Sequence, residues 1–145
     1  MTEQYRQLKR AFASRVRPAH FTNYNHCEEC LEHERTLQHR DNESLSFNDV
    51  GIITYSPISF INLEGFLYFL PGLARLASAK GEYYFLDTFL IHLDNEERRK
   101  SLNADERRAL LRYLLYLRGS IFDDIARNLD EESLDELIFW LEKEN

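Results

Sequence analysis

The chain has 145 residues, of which 43% are hydrophobic and 30% charged, and its formal charge is −7. This length and balance predict one globular domain, residues 1–145, and exclude a disordered chain. An acidic surface repels a phosphate backbone, so no nucleic-acid partner is expected, and the basic residues from Arg6 to Arg17 are interpreted as a solvated helix face. The charge fits a basic protein partner instead.

The location of the protein is predicted from its apolar runs and its first residues. The apolar runs are only a few residues long, so no membrane span is expected. The opening residues, MTEQYRQLKR, lack a charged and then apolar signal segment, which predicts a cytoplasmic protein. In that compartment two cysteines at C-x-x-C spacing favour reduced thiols or metal ligands over a disulfide.

The first predicted helix covers residues 2–16, because apolar residues recur at helical spacing as far as Val16, and Pro18 marks its end. A polar segment, residues 20–43, follows it. The centre of this segment has good helix formers but few large apolar residues. A helix that buries so little needs another anchor, which is one reason to consider a metal.

The middle of the chain changes character. Residues 51–61 are rich in β-branched and aromatic side chains and are split by Pro57, which predicts a buried extended connection or a small hairpin. Asn62 is expected to cap the next helix, and Pro71 predicts a kink in that helix near Leu70.

The last third of the chain is predicted to be helical throughout. A short helix over residues 83–93 precedes a long one, which begins at a capping box of Asn103 and Glu106 and carries apolar residues as far as Ile125. The Phe/Tyr-rich residues 83–89 fit either the core or a homodimer surface. With a final helix, the chain is expected to form an all-α, bundle-like domain of about five or six helices and one irregular extended segment.

Chemistry concentrates in one short stretch of the polar segment. Six of the seven cysteine and histidine residues of the chain lie within residues 20–39. Thiolates and imidazoles are the donors that zinc prefers, and C-x-x-C spacing brings two sulfurs to one ion. The stretch therefore predicts a zinc site whose ligands are Cys27, Cys30 and His33, with His26 or His20 as the fourth.

Helix geometry restricts this site. On one continuous helix Cys27, Cys30 and His33 would span about 120° and about 9 Å, which is wide for one tetrahedral ion. We therefore expect the helix to begin near Cys30, with Cys27 in the preceding turn. His39 lies about half a revolution from Cys30 and is set aside as a ligand. Without a fourth protein ligand the position is open to water, as in catalytic zinc sites.

Other chemistries fit less well. A redox dithiol requires a lowered thiol pKa, which the neighbouring Glu28, Glu29 and Glu32 are expected to oppose. Covalent haem requires C-x-x-C-H, but Leu31 follows the second cysteine, and the glycines form no phosphate-binding loop, so neither haem nor a nucleotide is expected. Cysteines packed in a core beside surface histidines stay open as an alternative.

Two stretches of the chain together resemble a group of uncharacterised bacterial proteins. The first, HCEECLEH from His26 to His33, matches an HC-x-E-C-x-E-H segment. The second, GFLYFLPGLARL from Gly65 to Leu76, matches G-F-x-Y-x-L-P-x-L-x-R-L. The resemblance implies that both stretches belong to one unit, in which the Cys/His segment packs on the kinked helix. It implies no catalytic role for any residue.

Three functions are therefore considered for this chain. The leading hypothesis is a helical protein that acts by binding another protein, with a zinc ion that staples the Cys/His segment. The second is a metal-dependent hydrolase with an open Cys/Cys/His site and Glu29 or Glu32 as its general base. The third is a thiol redox switch.

Overall fold

The computed structural model describes residues 1–144, and within that range the chain forms nine α-helices, three 3₁₀ turns and no β-strand. The prediction of an all-α fold is confirmed, although the helices outnumber the five or six expected because several are only one or two turns long. Their bounds are α1 Glu3–Ala11, α2 Glu28–Gln38, α3 Phe47–Val50, α4 Leu63–Leu76, α5 Leu86–Leu93, α6 Glu96–Lys100, α7 Ala104–Ser120, α8 Phe122–Arg127 and α9 Glu131–Glu144.

The core lies between α1, α4, α5, α7 and α9, which contribute a continuous cluster of buried side chains. Helix α7 packs against both α1 and α9. The segment of residues 83–89 fits either the core or a dimer surface by sequence. In the structure Phe85 and Phe89 lie in the core, whereas Tyr83 is exposed. Across residues 1–144, none of the helices combines the length and the apolar character that a membrane crossing requires.

Helix α1 is shorter than predicted. It begins after Thr2, whose hydroxyl accepts the N–H of Tyr5, but it ends at Ala11, and Val16 is 82% exposed. Beyond this end, Arg15 reaches the buried carboxylate of Glu106, with Nη2 2.6 Å from Oε1. The predicted apolar stripe is therefore wrong only at Val16, since Phe12, just after the end of α1, is still buried in the core.

Residues 51–61 are irregular, as predicted, but they are not extended, and the predicted burial holds only for Ser56, Pro57, Ile58 and Ile61. They form two 3₁₀ turns, Ile53–Tyr55 and Pro57–Ser59, and Ile53 is 63% exposed. The second turn forms because Pro57 fixes the first φ angle and the hydroxyl of Ser56 accepts the N–H of Ile58. In the part of the chain that the structure describes, the only β-type pairing is an isolated antiparallel bridge between Thr22 and Ile61.

Helix α4 accommodates its internal proline with help from a distant side chain. Asn62 caps the helix as predicted, and Pro71 lies inside it. At this point the amide of Asn42 donates from Nδ2 to the Tyr68 carbonyl (2.9 Å) and accepts at Oδ1 from the Gly72 N–H (2.8 Å). A Cβ on Gly72 would lie only 2.9 Å from the Asn42 carbonyl oxygen, so the close approach requires glycine.

Helix α7 begins as predicted and ends early. The side chains of Asn103 and Glu106 form the expected capping box. The long helix expected to reach Ile125 is interrupted at Ile121, whose φ and ψ of −122° and 35° are not helical. Gly119, two residues before Ile121, is a poor helix former, which lowers the free-energy cost of interrupting the helix here.

Candidate metal centre

The two cysteines lie at the start of α2, with Cys27 as its N-cap residue. Cys27 has extended backbone, and its Sγ accepts the N–H of Cys30 at 3.3 Å. A side chain in this position bends back over the first helical turn, so the two sulfurs face each other. The helix thus begins directly after Cys27, close to the predicted start.

Three potential metal-binding side chains converge at this point. The ligand atoms of His26, Cys27 and Cys30 all lie within 4.8 Å of one another. The two sulfurs are 3.0 Å apart, and Nδ1 of His26 is 3.7 Å from Sγ of Cys30. His26 and Cys27 are exposed, whereas Cys30 is only 4% exposed and forms the inner side of the group. Two sulfurs and one imidazole nitrogen can hold a metal ion, and they suit a soft cation.

The group is open on its outer face. Among residues 1–144, no fourth cysteine, histidine or carboxylate ligand joins these three. A bound ion would therefore complete its coordination with water or with a group from another molecule.

The electrostatics of the two thiols differ. A hydrogen bond with the Cys30 thiol, together with the Cys30 N–H and His26, lowers the pKa of Cys27 to about 7. The same hydrogen bond, burial and the charge of Glu29 raise the pKa of Cys30. The expectation that nearby glutamates would disfavour thiolate is therefore wrong for Cys27, where the hydrogen bonds from the thiol and the N–H of Cys30 prevail.

His33, which was predicted as the third ligand, lies elsewhere. Its side chain is only 1% exposed, and its Nε2 is 3.1 Å from Oε2 of Glu29. Its ring packs between those of Tyr55 and Phe60, at centroid distances of 4.5 and 5.2 Å. The geometry thus replaces His33 by His26, one of the two residues expected as a fourth ligand.

The two remaining histidines of the stretch are also outside the group. Nδ1 of His20 is 3.0 Å from Oε2 of Glu34, and the His20 ring stacks on Tyr24 at 4.3 Å. His39 was set aside as a ligand, and its Nδ1 bonds the Arg35 carbonyl within the last turn of α2 (2.7 Å). Neither imidazole joins the three converging ligands.

A buried carboxylate that the sequence analysis missed fixes the approach to the site. Oε1 of Glu34 accepts the backbone N–H groups of Phe21 (2.7 Å) and Thr22 (2.9 Å), and Glu34 is only 5% exposed. The Thr22 hydroxyl in turn donates to the Cys30 carbonyl (2.8 Å). The available signal was the position of Glu34, four residues after Cys30 on the same buried helix face.

The other end of α2 is held by Arg17. Its Nη2 donates to the carbonyls of Leu37 (3.0 Å) and Gln38 (2.9 Å), and its Nη1 donates to that of Arg40 (2.7 Å). These carbonyls are among those that a helix end leaves without partners. The sequence predicts that this helix needs an anchor because its apolar face is thin. Hydrogen bonds from protein groups at both ends supply that anchor.

The segment also contacts the second stretch of the resemblance. The ring of Phe21 lies 5.1 Å from that of Phe69 in α4, and the Arg17 guanidinium lies over the Tyr68 ring at 5.4 Å. A Cβ on Gly65 would meet Phe21 at 2.9 Å, so the two segments touch closely. The start of the Cys/His segment therefore packs on α4.

Both residues considered as a general base are engaged with neighbours. Glu29 contacts His33, and the carboxylate of Glu32 accepts the hydroxyl of Tyr55. In these contacts the two carboxylates link α2 to the side chains packed against it, and neither belongs to the group of converging ligands.

Fold and site together define an all-α domain with an exposed thiol and an exposed imidazole at the start of a helix. No family model, no curated protein and no solved structure matches the chain significantly. The resemblance to proteins with the HC-x-E-C-x-E-H segment accordingly stays a prediction.

Proposed function

We propose that the protein binds one zinc ion through His26, Cys27 and Cys30. The observation that carries this proposal is the convergence of the three ligand atoms within 4.8 Å of one another. The donor set supports zinc because two sulfurs and one imidazole match the ligands that this ion prefers. The fourth coordination position faces solvent, so the bound ion stays accessible to water or to a group from another molecule.

The zinc ion has no stapling role in this proposal. Helix α2 is fixed at its start by Glu34 and Thr22 and at its end by Arg17, through hydrogen bonds that use neither the sulfurs nor the imidazole of the site. The fold therefore does not need the binding energy of the metal, unlike that of a small zinc finger.

Among the three functions considered, the geometry favours binding over hydrolysis. A hydrolase would need a carboxylate free to act as a base beside the ion, whereas Glu29 and Glu32 are bonded to His33 and Tyr55. Binding of a protein partner, formation of a homodimer and a cytoplasmic location stay predictions from the sequence.

Zinc titration of protein purified without a histidine tag tests the proposal. Zinc affinity is measured by competition with a chromogenic chelator, and cobalt substitution reports sulfur ligands through a charge-transfer band. We expect one ion per chain, and we expect Cys27→Ser and His26→Gln each to weaken zinc binding by more than about tenfold. His39→Gln is the matched control, since His39 is exposed on the same helix end as Arg35 and bonds only a backbone carbonyl.

Two results would contradict the proposal. One is wild-type protein that binds zinc no more tightly than the Cys27→Ser variant. The other is equal loss of zinc binding in His26→Gln and His39→Gln, which would indicate scattered histidine binding at the surface. Circular dichroism of every variant checks the fold, and we expect the spectrum of Cys27→Ser to match that of the wild type.

A thiol redox switch is a second candidate, favoured by the 3.0 Å distance between the sulfurs of Cys27 and Cys30. With hydrogen peroxide as the oxidant, one thiolate attacks an oxygen to give a sulfenic acid and water. The second thiol then displaces a second water, so that two thiols and one peroxide give one disulfide and two waters. Mass spectrometry after mild peroxide treatment, with and without zinc, tests this function. Loss of two hydrogens that dithiothreitol restores supports the switch, and oxidation beyond sulfenic acid without a disulfide contradicts it.

A further inference from the structure

A second candidate site lies away from α2, in a cavity of about 490 Å³ between α1, the end of α4 and α7. This volume falls within the range of about 300–1,000 Å³ that is typical of small-molecule sites. The residues used below are three aromatic side chains, two cations and one carboxylate: Tyr5, Tyr113, Tyr116, Arg75, Lys80 and Glu43. None of them belongs to the proposed zinc site.

The inner walls of the cavity are aromatic and held in place. Tyr5 and Tyr113 are buried, with ring centroids 6.4 Å apart, and the ring of Tyr116 lies 6.5 Å from that of Tyr113. The Tyr113 hydroxyl donates to the Ala74 carbonyl (2.6 Å), and the Tyr5 hydroxyl donates to Glu43 (3.3 Å). The rings of Tyr5 and Tyr113 are almost fully buried, with their hydroxyls beside Arg75 and Ser78, so the aromatic surface that a ligand can reach belongs to the partly exposed Tyr116.

The outer part of the cavity is cationic. Nε and Nη2 of Arg75 donate to the carbonyls of Asn42 and Leu45, which fixes the guanidinium beside the Tyr5 hydroxyl, while its Nη1 has no acceptor within 3.5 Å among residues 1–144. Within the same residues no carboxylate lies within the 4.0 Å of an ion pair from Arg75 or Lys80. The one carboxylate of the lining, Glu43, is already paired with Lys9 at 2.6 Å.

Two such cations at one cavity are notable in a chain whose formal charge is −7. A guanidinium N–H and an ammonium group are strong donors to an anionic oxygen, and the fixed guanidinium needs no reorganisation to bind one. The nearby Glu43 disfavours a doubly charged ligand more than a singly charged one. The donors and charges therefore match a monoanion, and the accessible ring of Tyr116 matches an aromatic body.

We propose that this cavity binds a small aromatic carboxylate. The carboxylate contacts Nη1 of Arg75 and the ammonium group of Lys80, and the ring lies against Tyr116. This binding site is additional to the zinc site and does not depend on it.

Calorimetry and ¹⁵N-correlation spectra of the full chain with benzoate test the proposal. Benzyl alcohol keeps the ring without the charge, cyclohexanecarboxylate keeps the charge without the aromatic face, and inorganic phosphate supplies an anion alone. We expect saturable benzoate binding, with amide shifts near the cavity, and at least about tenfold weaker binding of each of the three other compounds.

Two variants test the residues without disturbing the packing. Neither Lys80 nor Tyr116 makes a side-chain hydrogen bond in the described part of the chain, so Lys80→Gln and Tyr116→Leu are expected to fold. Each should weaken benzoate binding by about tenfold. Lys143→Gln, which removes an exposed lysine of α9, should leave binding unchanged.

Three outcomes would overturn the proposal. The first is an absence of saturable benzoate binding by folded protein. The second is unchanged affinity in Lys80→Gln, or equal weakening in Lys143→Gln, which would indicate attraction by the surface as a whole. The third is phosphate binding as tight as that of benzoate, which would make the cavity a site for anions without an aromatic component.

Discussion

Glu34 provides a direct test of how the approach to the metal centre is built. Oε1 of Glu34 accepts the N–H groups of Phe21 and Thr22, while Oε2 accepts from Gln38 Nε2 (2.8 Å) and lies 3.0 Å from His20 Nδ1. Glu34→Gln keeps the shape of the side chain but removes its charge and one of its acceptors. With the amide oxygen in the place of Oε1, the new NH₂ group meets the Nε2 donor of Gln38, and in the opposite orientation it meets the two backbone N–H groups.

The expected cost follows from the two backbone hydrogen bonds. A hydrogen bond to a charged group contributes about 1.5–3 kcal/mol, against about 0.5–1.5 kcal/mol for a neutral one. Replacing two charge-assisted bonds by neutral ones should therefore lower the free energy of unfolding by about 2 kcal/mol. Glu34→Ala leaves both N–H groups without their acceptor, so we expect a loss of about 4 kcal/mol.

The dependence on pH gives a second, independent measure. Burial acts to raise the pKa of Glu34, but hydrogen bonds from Gln38, from the two backbone N–H groups and from His20 outweigh it and lower the pKa. Because the folded state binds this proton less tightly than the unfolded state, the carboxylate stabilises the fold above its unfolded pKa. That stability is lost as the pH falls through the lower, folded pKa. The difference between wild type and Glu34→Gln should thus shrink below about pH 4.

Urea unfolding followed by circular dichroism at pH 7 and under acidic conditions measures both effects. Glu142→Gln serves as the control, because Glu142 is exposed on α9 and its carboxylate makes no hydrogen bond within residues 1–144. If Glu34→Gln destabilises the protein no more than Glu142→Gln does, the role assigned to the buried carboxylate is wrong. A stability gap that persists undiminished in acid would refute the electrostatic part of the reasoning.

Three further predictions use the same unfolding assay. Asn42→Ala removes the amide that bridges the Tyr68 carbonyl and the Gly72 N–H of α4, and it should cost about 3 kcal/mol because these backbone groups lose their partner. Arg15→Gln leaves the buried carboxylate of Glu106 without its cation and should also cost about 3 kcal/mol. A loss below about 0.5 kcal/mol, the usual limit for surface substitutions, would contradict either prediction. Burial, aided by the charge of a nearby arginine, lowers the pKa of His92 to about 4, so stability should fall as the pH decreases from about 6.5 toward 4. His92→Gln should flatten this dependence, and a variant that keeps it in full would show that other groups cause it.

Local signals in the sequence predicted the helix starts well. The caps at Asn62 and Asn103 were found because a cap joins a side-chain oxygen to an N–H only two or three residues away. The helix ends were predicted less well because distant partners decide them. Helix α1 ends where Arg15 turns toward Glu106, a residue 91 positions further along the chain.

For residues 51–61 the prediction from average composition failed because local backbone geometry determines the structure. Their β-branched and aromatic composition favours extended backbone, but β-propensity largely reflects packing against neighbouring strands, and residues 1–144 contain none. Without a sheet, the short-range geometry of Ser56 and Pro57 decides the outcome, and two 3₁₀ turns form.

The spacing of the cysteines located the candidate site, but the third side chain that converges there is His26 and not His33. The pair Cys27 and Cys30 converges because an N-cap side chain necessarily points back toward the first turn. His26, immediately before the cap, shares that end of the helix, whereas His33 lies one turn further on. The His33 ring packs against Tyr55 and other residues more than 20 positions away. The spacing of residues within α2 cannot predict such a contact.

The separation of anchoring from metal binding has a thermodynamic consequence. Because Glu34, Thr22 and Arg17 hold α2 without help from the thiols, the folded state already contains the ligand geometry before an ion arrives. Zinc that binds this folded state adds stability only by mass action, as RT ln(1 + [Zn]/Kd), which is about 2.7 kcal/mol at a hundredfold excess over Kd. A fold that depended on the ion would instead be lost on chelation. Unfolding curves recorded with EDTA and with saturating zinc therefore distinguish the two cases. If the anchors at the two ends of α2 hold the fold, we expect a cooperative transition under both conditions, with zinc shifting only its midpoint.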